Sequence, residues 1–232
     1  MLERLAHRKL QEIALLLTGH IDAAIYLYSI PLLPGVALHE LSHAVMAKLL
    51  GVRVRAISLF PQRQRGGAVR LGSVEVMRSD ALRSALIGAA PLIAGLSALG
   101  LIGNLAFDGS AVMRALSAGK LEAIASSIVA TLQAPDALLW FYIVFAIANS
   151  MMPSPSDTQA WPPVLGALAV VTALIGALAG DVAYTLAPPI EITLRWLAAA
   201  LAITAFIDMA VIAVLWMIAR VIARATGRRV EY

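Results

Sequence analysis

Apolar residues in this chain gather in long runs, and polar positions fall between the runs or singly within them. A helix needs roughly 20 predominantly apolar residues to cross the hydrocarbon of a bilayer. Pro34–Leu50 with its upstream extension, Ala81–Phe107, Leu138–Met152, Trp161–Leu186 and Leu197–Ile222 meet or approach that length. Leu10–Ile30 is a sixth candidate, interrupted by Glu12, His20 and Asp22. Pro31, Pro34 and Gly35 break the run from Ile21 to Leu50, because proline lacks a backbone donor and clashes with the preceding turn. The pattern therefore predicts six spans. The alternative is five, with an interfacial N-terminal helix feeding one long span from Ile21 to Leu50.

The segment Val52–Val76 has a different rhythm. Val52, Val54, Ala56 and Ser58 alternate with Arg53, Arg55 and Ile57, Gly66-Gly67 is a turn signal, and Ala68–Val76 resumes strand-like character. A β-hairpin or small sheet is expected over residues 52–77, on the cytosolic face. No internal repeat or low-complexity tract appears, and Gly176-x-x-x-Gly180 is a weak signal for close helix packing. The fold class is thus an all-α polytopic membrane protein of about six helices with a small β-segment, a single domain over residues 1–232.

Composition agrees. Hydrophobic residues make up 60% of the chain and charged residues 14%, against roughly 45–50% and 25% in globular proteins. So few charges cannot clothe a water-facing surface, so most of it must face lipid. The basic N-terminal run is expected to be retained, since no signal-cleavage pattern follows it. The net charge of +4 comes from arginines flanking apolar spans, which orient a protein in a bilayer and argue against a nucleic-acid partner. Counting loops from a cytosolic N-terminus puts Arg4, Arg8, Lys9, Arg53, Arg55, Arg63, Arg65, Arg70, Arg78, Arg224, Arg228 and Arg229 on the cytosolic side. The other side holds little more than Arg114, Lys120 and Arg195. Both termini are expected in the cytosol, and the protein in a prokaryotic cell membrane.

Candidate chemistry sits in His39-Glu40-Leu41-Ser42-His43, an H-E-x-x-H sequence. Positions i and i+4 share one helix face, so both imidazoles can reach one ion. Zinc suits such nitrogen ligands, and Glu40 is placed to take a proton from a water that the ion acidifies. Chance placement predicts only about 0.002 such matches in a chain of this composition. Three ionisable groups at membrane depth are costly and point to function. There is no cysteine, so a third ligand must be a carboxylate or another histidine. His7, His20, Asp208 and Asp157 are the candidates. Asp157 lies where an apolar run meets Pro153 and Pro155, among Asn149, Ser150, Ser154 and Ser156. Asp208, alone within the last run, is expected to make a polar contact to a neighbouring helix.

The chain resembles the site-2 protease family of intramembrane zinc metalloproteases. The resemblance is carried by His39, Glu40 and His43, by the β-segment that follows, and by Asn149 eight residues before Asp157 with prolines between. Ala89-Ala90-Pro91 is similar to the small-residue-plus-Pro stretch that opens the span after the β-segment. The likeness covers Leu32–Asp157, about half the chain. Thr158 stands where the family has glycine, and Pro153 sits one place late. It implies one Zn2+ held by His39, His43 and Asp157, with Glu40 as general base and Asn149 holding substrate or stabilising an oxyanion. The implied partner is the transmembrane helix of a membrane-protein substrate, cut by regulated intramembrane proteolysis. The rival classes are a metal or ion transporter and a catalytically silent relative that binds membrane helices. A reporter fused after Tyr232 is expected to be active only on the cytosolic side; activity confined to the opposite side contradicts the six-span arrangement.

Overall fold

Two prolines placed to separate apolar runs do not separate them. Helix α1 covers Leu2–Thr18, Gly19 turns the chain at φ 68°, and α2 starts at Ile21 and runs to Ser29. A 3-10 turn, Ile30–Leu32, then leads directly into α3, Leu33–Leu49. Pro31 and Pro34 both fall in first-turn positions, where a missing N–H has no carbonyl to serve. The Leu33 N–H reaches back only three residues, to the Ile30 carbonyl, so tightening the turn absorbs what a continuous α-helix would not accept. Ile21–Leu49 is consequently one helical run of 29 residues, about 44 Å long. Leu10–Ile30 is not a helix of its own: it is split at Gly19–His20.

The structure is a computed structural model that describes residues 2–63, 69–107, 132–178 and 182–227, with isolated helical positions between 108 and 131. The Gly66-Gly67 turn, Arg65, Lys120, Gly180, Arg228 and Arg229 lie outside the described residues. Beyond α3 the described residues hold four strands, β1 (Val54–Ser58), β2 (Gln62–Arg63), β3 (Val69–Arg70) and β4 (Ser73–Val76). The remaining helices among the described residues are α4 (Ala81–Ala106), α5 (Ala137–Ala148), the short α6 (Pro155–Thr158), α7 (Trp161–Leu178) and α8 (Val182–Thr226). Among the described residues, three helices are long and apolar enough to cross a membrane: Ile21–Leu49, Ala81–Ala106 and Thr204–Thr226. That is compatible with a membrane protein. The apolar helix α5 has twelve residues, about 18 Å of rise, short of the roughly 30 Å of a bilayer's hydrocarbon. Side chains such as Leu105 (83% exposed) and Leu138 (86% exposed) stand outward, as lipid-facing residues do.

The β-segment forms two small antiparallel ladders, β1 with β4 and β2 with β3. Val54 pairs with Val76 and Ser58 with Ser73, with an irregularity between Val54 and Ala56. Its base is pinned where Val52 joins Ala47 of α3 and Ile87 of α4, with Val54 and Val76 alongside. It does not stand off the end of α3 as a plain cytosolic appendage. Val69 and Leu71 pack on the cluster that holds Tyr28, Leu32 and Val36, and the Arg63 guanidinium lies 3.6 Å from the Asp22 carboxylate in the first turn of α2. The ribbon therefore folds back along the long helix.

The main core gathers one face from each remaining element. α1 contributes Ala6, Leu10 and Ala14, spaced four apart on a single stripe, and packs against α8 and α2. Leu99 and Ile102 of α4, Val144, Phe145 and Ile147 of α5, and Ile207 of α8 complete it. Asp80 caps α4 by accepting from the Arg83 N–H. The chain has no cysteine, so single cysteines can be scanned through Ile21–Leu49. Labelling is expected to rise and fall with a 3.6-residue period unbroken through Pro31–Pro34, high at Leu33, Leu41 and Val45 and low at Val36, Ala44 and Ala47. A patch at Pro31–Pro34 open to a membrane-impermeant maleimide from both flanks would restore the two-span hairpin.

Candidate metal centre

His39 and His43 stand one turn apart on α3, and their Nε2 atoms are 3.2 Å apart. Which nitrogen of each ring carries the proton is decided elsewhere. His39 Nδ1 lies 2.6 Å from the Ser150 carbonyl and His43 Nδ1 lies 2.8 Å from the Ile87 carbonyl. A carbonyl only accepts, so each neutral ring donates from Nδ1 and leaves Nε2 as a bare lone pair. Two lone pairs facing each other at that distance repel unless a cation sits between them. The Asp157 carboxylate faces the same point, with Oδ1 3.4 Å from His43 Nε2 and Oδ2 3.7 Å from His39 Nε2. One ligand atom from each of the three residues falls within 4.8 Å of the others. Two donors at zinc–nitrogen distance on one tetrahedral ion are about 3.3 Å apart, so the residues present fit a single metal ion.

Both orienting carbonyls are free for a reason written in the backbone. Ile87 would normally accept from residue 91, but residue 91 is proline and lies inside α4. Ser150 follows the end of α5, where carbonyls lack helical partners. The N–H four residues on, that of Ser154, donates instead to Asp157 Oδ2 at 2.7 Å. Asp157 itself is held by α6. Ser154 is the N-cap, its hydroxyl donates to Asp157 Oδ2 at 2.7 Å, and the reciprocal bond from the Asp157 N–H completes a capping box. Thr158, where the resembling family has glycine, extends that turn by donating to the Ser154 and Pro155 carbonyls. Gly88 lets α4 approach α6: a Cβ there would collide with the Asp157 carbonyl.

Glu40 is buried on the same helix, and the ribbon closes over it. A Cβ at Gly72 would sit 2.7 Å from the Glu40 Cγ. His39, Glu40, His43, Asn149 and Asp157 all line one cavity of about 720 Å³, shared with Arg70, Gly72 and Val74 of the ribbon. The structure thus brings these five residues to one cavity. The rival third ligands separate from Asp157. His20 is exposed at the N-cap of α2, Asp208 is hydrogen-bonded to Asn149, and His7 lines the cavity without joining the ligand group. Asn149 departs from expectation in one respect. Its Nδ2 is engaged by Phe145 and Asp208, so it has no donor left for an oxyanion. Ile87 was not read as part of the site, and Ser154 and Pro91 were noted without the roles they have here, although Ser154-Pro155-Ser156-Asp157 carries the S-x-x-D spacing of a capping box.

No protein-family model, curated protein or solved structure matches this chain. Replacing Pro91 by Ala would return an N–H to the Ile87 carbonyl to compete with His43. It is expected to weaken zinc binding about tenfold, the usual effect of losing an outer partner, as measured by competition with a chromophoric chelator. Unchanged affinity removes Pro91 from the orienting role.

Proposed function

We propose that this chain is an intramembrane zinc metallopeptidase that hydrolyses a peptide bond in or near the transmembrane helix of another membrane protein. The observation that carries the reading is the convergence of two imidazole lone pairs and one carboxylate beside a buried glutamate, in a cavity walled by a β-ribbon. The family resemblance of His39-Glu40-x-x-His43 and Asn149…Asp157 points the same way. Zinc, when bound, supplies a Lewis acid that polarises a carbonyl oxygen and brings the pKa of water toward neutrality.

The chain's own residues supply the rest. Nδ1–H bonds to Ile87 and Ser150 hold the two imidazoles so that they cannot swing away as charge develops. Ser154 does the same for Asp157. Glu40 takes the proton from the attacking water and passes it to the amine that leaves, so that one peptide bond and one water become a carboxyl and an amino group. A membrane helix hides its carbonyls in internal hydrogen bonds and must unwind to be cut, and its freed groups then need partners. The ribbon offers strand edges for that pairing, with Gly72 and Val74 on the cavity wall.

The arrangement in the membrane belongs to the same reading. Six crossings put both chain ends in the cytosol of a prokaryotic cell, whereas the five that a single Ile21–Leu49 span implies put them on opposite sides, so paired reporters at the N-terminus and after Tyr232 decide between the two. For the chemistry, the full chain in vesicles is expected to cleave members of a panel of single-span membrane proteins, to stop with a chelator and to recover with zinc. Glu40→Gln is expected to lower the rate by about 10²- to 10⁴-fold, the range for loss of an acid–base group, with zinc content unchanged. Ion flux that survives Glu40→Gln, with no cleavage by the wild type, identifies a transporter instead. Zinc binding with no Glu40-dependent product identifies a silent relative.

A further inference from the structure

One buried pair beside the metal centre has no part in holding the ion. Asn149 is 2% exposed and lines the site cavity, and its Nδ2 donates to the Phe145 carbonyl at 2.9 Å and to Asp208 Oδ1 at 2.7 Å. Asp208 comes from α8 and is 8% exposed. A carboxamide nitrogen has two hydrogens, and here both are used. Its oxygen, Oδ1, is shielded from solvent and has no hydrogen-bond partner among the described residues. The two ends of an amide are told apart by what surrounds them. Two oxygens beside one end call for nitrogen there, because the reversed amide would set oxygen against oxygen at 2.7 Å. Phe145 belongs to the same helix, and its carbonyl already receives the Asn149 backbone N–H at 3.0 Å. Asp208 is the anchor from outside that helix.

We infer that Asp208 is a positioning residue that locks the Asn149 carboxamide with its acceptor, not its donors, unspent beside the cavity, where a substrate segment that displaces the atoms covering it can reach it. Asn149 then receives a backbone N–H from an unwound substrate segment and does not donate to an oxyanion. The identity of that donor rests on the peptidase reading; the locked amide does not. At membrane depth an unpaired substrate N–H is costly, and a fixed acceptor next to the metal ligands captures it without first having to be ordered.

The test uses the zinc-loaded full chain in nanodiscs, labelled with 15N-asparagine. The Asn149 side-chain NH2 is expected to exchange slowly with solvent. Asp208→Leu is expected to speed that exchange at least about tenfold, the loss of one hydrogen bond. Asp208→Asn keeps an oxygen at the same reach and recovers part of the protection. In cleavage assays Asp208→Leu and Asn149→Ala are each expected to lower kcat/KM about tenfold, chiefly through KM, and the double variant to be no worse than either alone. A general folding role for Asp208 would instead multiply the two losses. Exchange of the wild-type Asn149 NH2 at the rate of free asparagine overturns the inference without any variant, and so do multiplied losses. Absence of any Glu40-dependent cleavage sinks the peptidase reading alone, while the exchange rates still judge the locked amide.

Discussion

The Ile87 carbonyl points to where an amide hydrogen of residue 91 would be, and Pro91 has none. His43 takes that acceptor with Nδ1, as His39 takes the Ser150 carbonyl past the end of α5. Everything about the centre depends on these two bonds, because they choose the tautomer. With both protons on the far side, the near nitrogens are two lone pairs 3.2 Å apart, a state that is favourable only with positive charge between them. Helix imperfections that would be defects elsewhere are here the source of the ligand geometry.

The same economy runs through the segment after α5. Helix termination leaves Ser150 with a free carbonyl, and Pro155 starts a one-turn helix at its tolerated first position. The cap of that turn then clamps the Asp157 carboxylate. Each side chain is satisfied by backbone groups that regular helix would have consumed. Within a bilayer such pairing would matter more than in water, because no solvent stands ready there to complete an unmet hydrogen bond. The ribbon contributes closure from the other side, its backbone passing over Glu40 at Gly72.

Long-range partners are where the reading by pattern ran out. The β-segment was legible from its alternation and turn residues, but its fold-back along α2 and α3 depends on Val69 and Leu71 finding Tyr28 and Leu32. The Ile21–Leu49 run looked broken because proline is a helix breaker in general. Whether a particular proline breaks a helix depends on whether its missing hydrogen had a carbonyl to serve, and a 3-10 turn removed that need. Asp208 could be marked as a costly buried acid. Its partner lies 59 residues away, and no local rule links them.

What the amino-acid sequence determined by itself is whatever short-range geometry settles: the apolar helices, the i, i+4 pairing of His39 and His43 on one face, and Glu40 beside them. Asp157 was legible as a candidate because prolines and serines marked irregular backbone among apolar runs. Tertiary structure alone decided that, among the described residues, Asp157, and not His7, His20 or Asp208, joins His39 and His43 in a group that could hold an ion. It also decided which end of Asn149 is spent. The reason is that a ligand set is a statement about distances between atoms on separate helices. Such distances follow from how α3, α4, α5 and α6 pack, which no periodicity within any one of them records.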